Sequence, residues 1–207
     1  MGMTPSPFRL VIGMTEGPGT AFGVRLLEVL RQADVETHLV MAPGAERSIR
    51  EETGRDPVSV RTLAHRLYDS GNMAARISSG SFLTEGMIVA PCSMVALAAI
   101  ATGMTSDLVH RAADVTIKEG RRLVLLLGEV PSAPSHVENL RRLSTIRSVI
   151  VPSARAFSPA GADAEMVEMT VRALLDRFAI PPIGRPAEPT GTEDSVDVGS
   201  GFELHRS

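Results

Sequence analysis

The chain has 207 residues, with 21 lysine and arginine residues against 24 aspartate and glutamate residues and a formal net charge of −3. With 43% hydrophobic and 22% charged residues it can bury a sizeable core, which excludes a disordered chain. The lack of a basic excess and an aromatic content of 3% argue against a dedicated nucleic-acid binder.

Cys92 is the only cysteine, which excludes an intramolecular disulfide and a zinc site built from several thiolates. The five histidines show no metal-ligand spacing, so no metal site is predicted. No apolar stretch reaches the roughly 20 residues that span a bilayer, and residues 1–9 do not resemble a secretory signal. We therefore expect a cytoplasmic protein with no membrane span.

Apolar runs alternate with segments of helical spacing along most of the chain. The runs predict buried strands, and the spaced segments predict helices with one apolar face. The predicted strands are 8–14, 36–41, 86–90, 122–127 and 148–151. The predicted helices are 21–31, 45–52, 60–67, 94–101, 106–118, 134–146 and 164–178, the last with Met166, Met169, Leu174 and Phe178 on its apolar side. This alternation indicates an α/β domain with a parallel sheet.

The composition changes near residue 180. Residues 1–180 form the predicted single α/β domain, whereas residues 181–207 are rich in proline, glycine, serine and threonine. Such a composition is typical of a flexible tail, which is the prediction for 181–207.

The loops that follow the carboxyl ends of the strands are where a ligand is expected in such a sheet. The first, residues 13–19, joins a strand to a helix, and its backbone amides can cradle a phosphate. A plain tight turn fits the same residues, because neither a dinucleotide fingerprint nor a Walker loop is present. In a later loop, Glu129 follows strand 122–127, where its carboxyl group suits proton transfer or is an ordinary strand-end charge.

Three further features carry weaker signals. Cys92 follows a buried strand without a histidine nearby in sequence, so a structural thiol is favoured over a nucleophile. The hydroxyls of segment 77–82 (ISSGSF) fit a solvated loop. Lys118 is the only lysine in the chain, since every other basic residue is an arginine.

Short segments spread along the chain match one protein family in the same order. They are 23–27 (GVRLL), 36–41 (ETHLVM), 77–82 (ISSGSF), 91–93 (PCS), 111–114 (RAAD), 118–119 (KE) and 175–179 (LDRFA). Together they resemble the flavin prenyltransferases of the UbiX type, from about residue 9 to residue 180. So many ordered matches are more specific than any single one.

The resemblance implies a flavodoxin-like or Rossmann-like α/β domain in three layers. It also implies assembly into a dodecamer with active sites between subunits. The implied enzyme binds FMN, needs no metal, and transfers a dimethylallyl group to FMN from its phosphate ester. The implied partner is a UbiD-type decarboxylase that uses the prenylated FMN.

Site residues are carried over by position from the same resemblance. The implied catalytic residues are Glu129, Thr15 and Lys118. The implied FMN contacts are Thr15, Gly17, Pro18, Ala42, Cys92, Ser93, Met94 and Arg111. The implied contacts to the prenyl phosphate are Lys118, Arg111, Glu52 and Ser158.

The chain also departs from the family pattern at several of these positions. The Gly-Ala-Ser of the family's first loop is Glu16-Gly17-Pro18 here, and a carboxylate at Glu16 would oppose a bound phosphate. A serine is replaced by Ala42, an arginine by Gly128 and a tyrosine by Ser158, while an arginine of the last helix falls at Ala173, next to Arg172.

Three hypotheses follow for the function. The leading one is a flavin prenyltransferase with a modified phosphate site. The second is a diverged protein that binds FMN or another ligand on the same scaffold without prenylating it. The third is a flavin-dependent decarboxylase of the same superfamily; it is disfavoured because segment 91–95 (PCSMV) lacks the asparagine associated with those enzymes.

Overall fold

Six parallel strands form one sheet in the order β3-β2-β1-β4-β5-β6. The computed structural model describes residues 8–33, 35–146, 148–152 and 163–181. The strands are β1 (Arg9–Met14), β2 (Glu36–Met41), β3 (Arg66–Tyr68), β4 (Gly86–Cys92), β5 (Arg122–Leu127) and β6 (Ser148–Pro152). This is the strand order of a doubly wound Rossmann-type sheet, so the predicted parallel α/β fold is confirmed.

Helices cover both faces of the sheet. They are α1 (Thr20–Gln32), α2 (Ala45–Thr53), α3 (Pro57–Arg61), α4 (Met94–Thr102), α5 (Leu108–Lys118), α6 (Pro134–Ser144) and α7 (Ala164–Asp176). Successive strand residues point to opposite faces, so Ile12 joins the core beneath α1 and α7 whereas Val11 joins the core beneath α4 and α5. Two apolar cores on one sheet make the three predicted layers.

Two details of the predicted elements are wrong. Residues 60–67 do not form a helix: α3 starts earlier, where Asp56 caps it by accepting from the amide of Val58, and the chain then forms the short edge strand β3. Met169 is 66% exposed, and α7 instead buries Thr170, Val171, Leu174 and Leu175. Because β3 lies at the edge of the sheet, it lacks the apolar run that revealed the other strands.

The predicted tail, 181–207, lies outside the described residues from 182 onwards. Within the described part of the chain, no helix is both long and apolar enough to cross a membrane.

Candidate active site

The switch point of the sheet, called the crevice below, lies at the carboxyl ends of β1 and β4, where the chain connections diverge. β1 continues into α1 on one face of the sheet, whereas β4 continues into α4 on the other face. The loops that follow the two strands therefore lead to opposite faces of the sheet, and the switch point between them is the usual ligand position in an open α/β sheet.

Thr15 ties these two loops together. Its hydroxyl is buried; it donates to the carbonyl oxygen of Pro91 at 2.9 Å and accepts from the amide of Ser93 at 2.8 Å. The Thr15 amide donates to the same Pro91 carbonyl at 3.2 Å. These contacts engage the hydroxyl as both donor and acceptor, so Thr15 positions the loop of Ser93.

Ser93 begins α4 and leaves donors open at the crevice. Its hydroxyl caps the helix by accepting from the amide of Ala96 at 3.2 Å. The amides of Met94 and Val95 have no hydrogen-bond partner among the described residues. Free first-turn amides at a helix N-terminus favour acceptor or anionic groups of a ligand.

The start of α1, by contrast, is already occupied by the chain's own carboxylate. Glu52 on α2 accepts from the amides of Gly19 at 2.8 Å and Thr20 at 3.1 Å, from the Thr20 hydroxyl at 3.1 Å and from the Ala21 amide at 3.3 Å. The amide of Gly17 donates to the Ser48 hydroxyl at 3.0 Å. The amides of Gly17, Gly19 and Thr20 are thus engaged within the chain, which favours the plain tight turn over a phosphate cradle at residues 13–19.

The surface beside this turn is acidic. A cavity of about 440 Å³ lies between the turn and α2, lined by Glu16, Gly17, Pro18, Arg47, Ser48, Glu51 and Glu52. Three carboxylates face a single arginine there, which disfavours a phosphate. Glu52, implied as a phosphate contact, instead caps α1 in this structure, because it accepts hydrogen bonds from the first amides of that helix.

The first loop packs directly on the loop after β5. A Cβ built on Gly128 would lie 2.0 Å from the carbonyl oxygen of Pro18. A Cβ built on Gly17 would lie 3.7 Å from Oε1 of Glu129, which places that carboxylate beside the first loop. The Glu129 side chain is exposed in the single chain. The structure thus brings Glu129 to the crevice.

Cys92 and Ala42 form part of the floor beneath these loops. Burial raises the pKa of the Cys92 thiol to about 12, and the charge of Glu16 adds to this shift. Such a thiol stays protonated, so the prediction of a structural cysteine fits its surroundings. Ala42 is buried, and its amide donates to the carbonyl oxygen of Met14 at 2.8 Å.

Arg111 and Lys118 meet on the outer face of α5. Lys118 Nζ lies 2.7 Å from Oδ2 of Asp114, and one Arg111 guanidinium nitrogen lies 3.2 Å from the same oxygen. Lys118 is the most exposed of the three side chains and Asp114 the least. The two cations expected to bind phosphate are therefore held together by one carboxylate.

The structure does not bring Lys118 to Glu129 within one chain, and Arg111 is joined to Lys118 through Asp114. Lys118 ends α5, just before the amino end of β5, whereas Glu129 follows the carboxyl end of that strand. The six residues of β5 span about 17 Å, which is further than a lysine side chain reaches. Glu129, Thr15 and Ser93 form one group, and Arg111 and Lys118 form another.

Two further positions were singled out in the sequence, Ser158 and the arginine position of the last helix. Ser158 lies outside the described residues. Arg172 is exposed on α7, and Ala173 lines an apolar cavity of about 440 Å³ at the end of β6. Sequence reasoning gave no role to Asp114, although its spacing of three and four residues from Arg111 and Lys118 on a helix was the available signal.

Comparison with known proteins decides the family. A family model described as Flavoprotein matches residues 4–176. A probable UbiX-like flavin prenyltransferase of Bacillus subtilis is 49% identical over 174 residues, which make up 83% of this chain and 85% of that protein. This chain belongs to the UbiX-like flavin prenyltransferases. The resemblance seen in the sequence is thereby confirmed.

Solved structures agree with membership of the UbiX-like flavin prenyltransferases. AnUbiX in complex with FMN and dimethylallyl pyrophosphate superposes with a TM-score of 0.79 at 42% identity, over 84% of this chain and 94% of that chain. A dodecameric FMN-dependent UbiX-like decarboxylase of Escherichia coli O157:H7 also has a TM-score of 0.79 at 42% identity, over 87% of this chain and all of the other. At these levels both fold and family are shared.

Proposed function

We propose that this chain is a flavin prenyltransferase that binds FMN at the crevice and transfers a dimethylallyl group to it from a phosphate ester. The observation that carries the proposal is the meeting of Arg111 and Lys118 at one oxygen, which makes a compact cationic site of the size of a phosphate. The names of the relatives and the ligands of AnUbiX support the same reaction.

The crevice offers suitable contacts for FMN. The open amides of Met94 and Val95 can donate to it. The start of α1 is closed by Glu52, so the FMN phosphate needs an arginine elsewhere. Arg111 of a neighbouring chain, implied as an FMN contact by the resemblance, is the candidate.

Reduced FMN, when bound, supplies the ring atoms that accept the prenyl group. Arg111 and Lys118 hold the ester phosphate and stabilise the charge that it gains as its C–O bond breaks and the electron pair stays with oxygen. Glu129 takes up the proton that is released when the new bond forms. Thr15 keeps the Ser93 loop in place through its two hydrogen bonds.

The separation of the two groups supports a site shared between chains. Glu129 and the crevice would come from one chain, and Arg111 with Lys118 from another. Large apolar side chains remain exposed near α4 and α6. Val95 on α4 is 68% exposed, Met104 just after α4 is 60% exposed, and Val137 on α6 is 57% exposed. Such surface favours association. The dodecameric relative supports a homo-oligomer, which we propose to be a dodecamer.

The product, prenylated FMN, is a cofactor for another enzyme. By the family resemblance we propose a UbiD-type decarboxylase as the partner that uses it.

The first measurement is the absorbance spectrum of the purified chain after FMN is added and the excess removed. Retained flavin shows bands near ~450 nm and ~370 nm, as expected for oxidised flavin in a binding site. Reduced FMN and dimethylallyl phosphate are then supplied and the product followed by mass. Lys118→Ala is expected to lower kcat/KM about a hundredfold while FMN stays bound.

Arg141→Ala is the matched control, because Arg141 is an exposed cation on α6 that pairs only with Glu138 among the described residues. It should leave both FMN binding and turnover unchanged. If Lys118→Ala turned over like the wild type, the assignment of the phosphate site would be wrong.

A second candidate, a binding protein without transferase activity, is favoured by Glu16. This carboxylate lies in the crevice loop and close enough to Cys92 to raise the pKa of the thiol further. If FMN is not retained and no product forms, this candidate replaces the first.

A further inference from the structure

We propose that Asp114 is a positioning residue that acts as the resident counter-ion of the phosphate site. It holds Arg111 and Lys118 in place and competes with the phosphate for them, so that inorganic phosphate is released after each turnover. The inference rests on the proposed function, since it assigns the phosphate to these two cations.

The geometry of α5 makes Asp114 the shared partner of both cations. Arg111, Asp114 and Lys118 are three and four residues apart, so all three side chains lie along one face of the helix. Both cations donate to the same oxygen, Oδ2, at 3.2 Å and 2.7 Å. Ala112 and Ala113 between them are buried against the sheet, which fixes the helix below this face.

The burial of the three groups shows which of them can move. The side chain of Asp114 is 14% exposed, whereas Arg111 is 38% and Lys118 65% exposed. The carboxylate is thus the fixed member, and the longer cations can turn from it towards an incoming anion. A phosphate that binds both cations takes the place of the Asp114 carboxylate in their coordination.

Because the Asp114 carboxylate and inorganic phosphate compete for the same two cations, loss of the carboxylate charge should change phosphate affinity in a predictable direction. With Asp114 in place the three side chains carry a net charge of +1, and without its charge they carry +2. Removal of the carboxylate charge therefore strengthens the binding of inorganic phosphate, whereas loss of a merely structural contact would weaken it or leave it unchanged. The sign of the change separates the two roles.

The only lysine of the chain provides a direct probe of this site. The purified full-length protein is treated with an amine-reactive succinimidyl ester at one fixed pH, with increasing inorganic phosphate. Acylation of Lys118 is measured by peptide mass spectrometry, which separates it from the N-terminal amine. The concentration of phosphate that halves the acylation rate reports binding at the site and needs neither FMN nor a prenyl donor.

We expect Asp114→Asn and Asp114→Ala to lower the half-protecting phosphate concentration about threefold to tenfold. In turnover, both variants should show stronger inhibition by inorganic phosphate and a lower kcat, with KM for the prenyl phosphate unchanged or reduced. Asp114→Glu keeps the charge and should stay close to the wild type in phosphate protection.

Glu119→Gln is the matched control. It removes an equal charge next to Lys118, but the Glu119 carboxylate lies 3.8 Å from a guanidinium nitrogen of Arg121 and forms no ion pair with Arg111 or Lys118 among the described residues. The half-protecting concentration should therefore change by less than about twofold.

The outcomes separate this inference from the proposed function. If phosphate protects Lys118 in the wild type but the two neutral variants need as much phosphate or more, Asp114 is not a competing counter-ion. If phosphate fails to protect Lys118 even in the wild type, the phosphate site itself is wrong, and the inference falls with it.

Discussion

A side chain at position 128 has no room, because a Cβ there would lie 2.0 Å from the carbonyl oxygen of Pro18 and 3.6 Å from its side chain. By the resemblance, an arginine would be expected at this position and a serine in place of Pro18. In this chain the carbonyl oxygen of Pro18 occupies space that only glycine leaves open at position 128, so the residues at these two positions depend on each other. This packing brings Gly17 next to Glu129.

Gly128→Ala is expected to lower the free energy of unfolding by about 1–3 kcal/mol, because the new methyl group must displace backbone rather than a flexible side chain. Urea unfolding measures the effect. Gly71→Ala is the control, since its added Cβ meets only the side-chain oxygen of Asp69 at 3.3 Å. Equal stability of the two variants would contradict the close packing of Pro18 on Gly128.

Gly128→Arg, which introduces the residue that the resemblance implies, meets the same clash. It should destabilise the chain rather than improve phosphate binding, because Pro18 still fills the space. Position 128 thus cannot be interpreted without position 18.

At the scale of the elements, one carboxylate connects α2 to the start of α1. Glu52 satisfies the donors of Gly19, Thr20 and Ala21, which would otherwise lack partners at the helix N-terminus. Its negative charge also interacts favourably with the helix dipole.

Glu52→Ala is expected to lower the free energy of unfolding by about 2–3 kcal/mol, since several charge-assisted hydrogen bonds are lost together. Glu51→Ala is the matched control, because Glu51 is exposed and contacts Arg47 only at 3.8 Å. That variant should differ from the wild type by less than about 0.5 kcal/mol. Similar losses for Glu51→Ala and Glu52→Ala in thermal unfolding would show that Glu52 does not cap α1.

A second element-scale feature is the buried histidine of β2. His38 is 1% exposed, and its Nδ1 lies 2.9 Å from the hydroxyl of Tyr68 on β3. Burial lowers the pKa of His38 to about 4, although the charge of Glu36 acts in the opposite direction. The other charged groups that affect His38 are Arg9, Arg66 and Arg76.

This shift makes stability depend on pH in a defined direction. The folded chain resists protonation of His38, whereas the unfolded chain takes up that proton near pH 6.5. The contribution of His38 to the free energy of unfolding is therefore fully present above about pH 6.5. It falls by about 2–3 kcal/mol as the pH drops towards 4. Urea unfolding at several pH values measures the slope.

His38→Gln should be less stable at neutral pH but should show a smaller loss between pH 6.5 and 4 than the wild type. His136→Gln, on the partly exposed start of α6, should keep the wild-type slope. If His38→Gln kept that slope as well, other groups would account for the acid sensitivity.

Much of the fold follows from local sequence patterns, and the exceptions have physical reasons. The buried strands were predictable because both of their faces are apolar, and β2 agrees with its predicted bounds of 36–41. The edge strand β3 was missed because it has no such run. The cap by Glu52 could not be predicted from pattern, since it joins residues more than 30 positions apart.

The site residues came from the family resemblance, and their arrangement came from the structure. Sequence placed Arg111 and Lys118 on one helix, but their meeting at Asp114 depends on side-chain geometry. Contact between Pro18 and Gly128 depends on two loops that are adjacent only in the folded sheet. Local patterns do not encode such long-range contacts.

At the scale of the whole molecule, the direction of β5 separates the two halves of the proposed site. Lys118 precedes the amino end of this strand, and Glu129 follows its carboxyl end. A reaction that needs both residues therefore needs two chains, with Arg111 and Lys118 always supplied by the same one, because they share Asp114.

Mixed oligomers test this arrangement. Lys118→Ala and Glu129→Gln are expected to have little activity separately, because each removes one residue from every site. When the two variants are co-expressed with different tags and purified through both, about a quarter of the sites regain both native residues if the chains mix at random. Prenyl transfer should then return to about that fraction of the wild-type rate.

The control pairs Lys118→Ala with Arg111→Ala in the same way. Since these two residues come from one chain, no mixture of the two variants supplies both to one site, and the mixed oligomer should stay inactive. Recovery in this control as well would mean that Arg111 and Lys118 act in different sites. No recovery in the mixture of Lys118→Ala and Glu129→Gln would mean that each chain closes its own site, against the distance that β5 imposes.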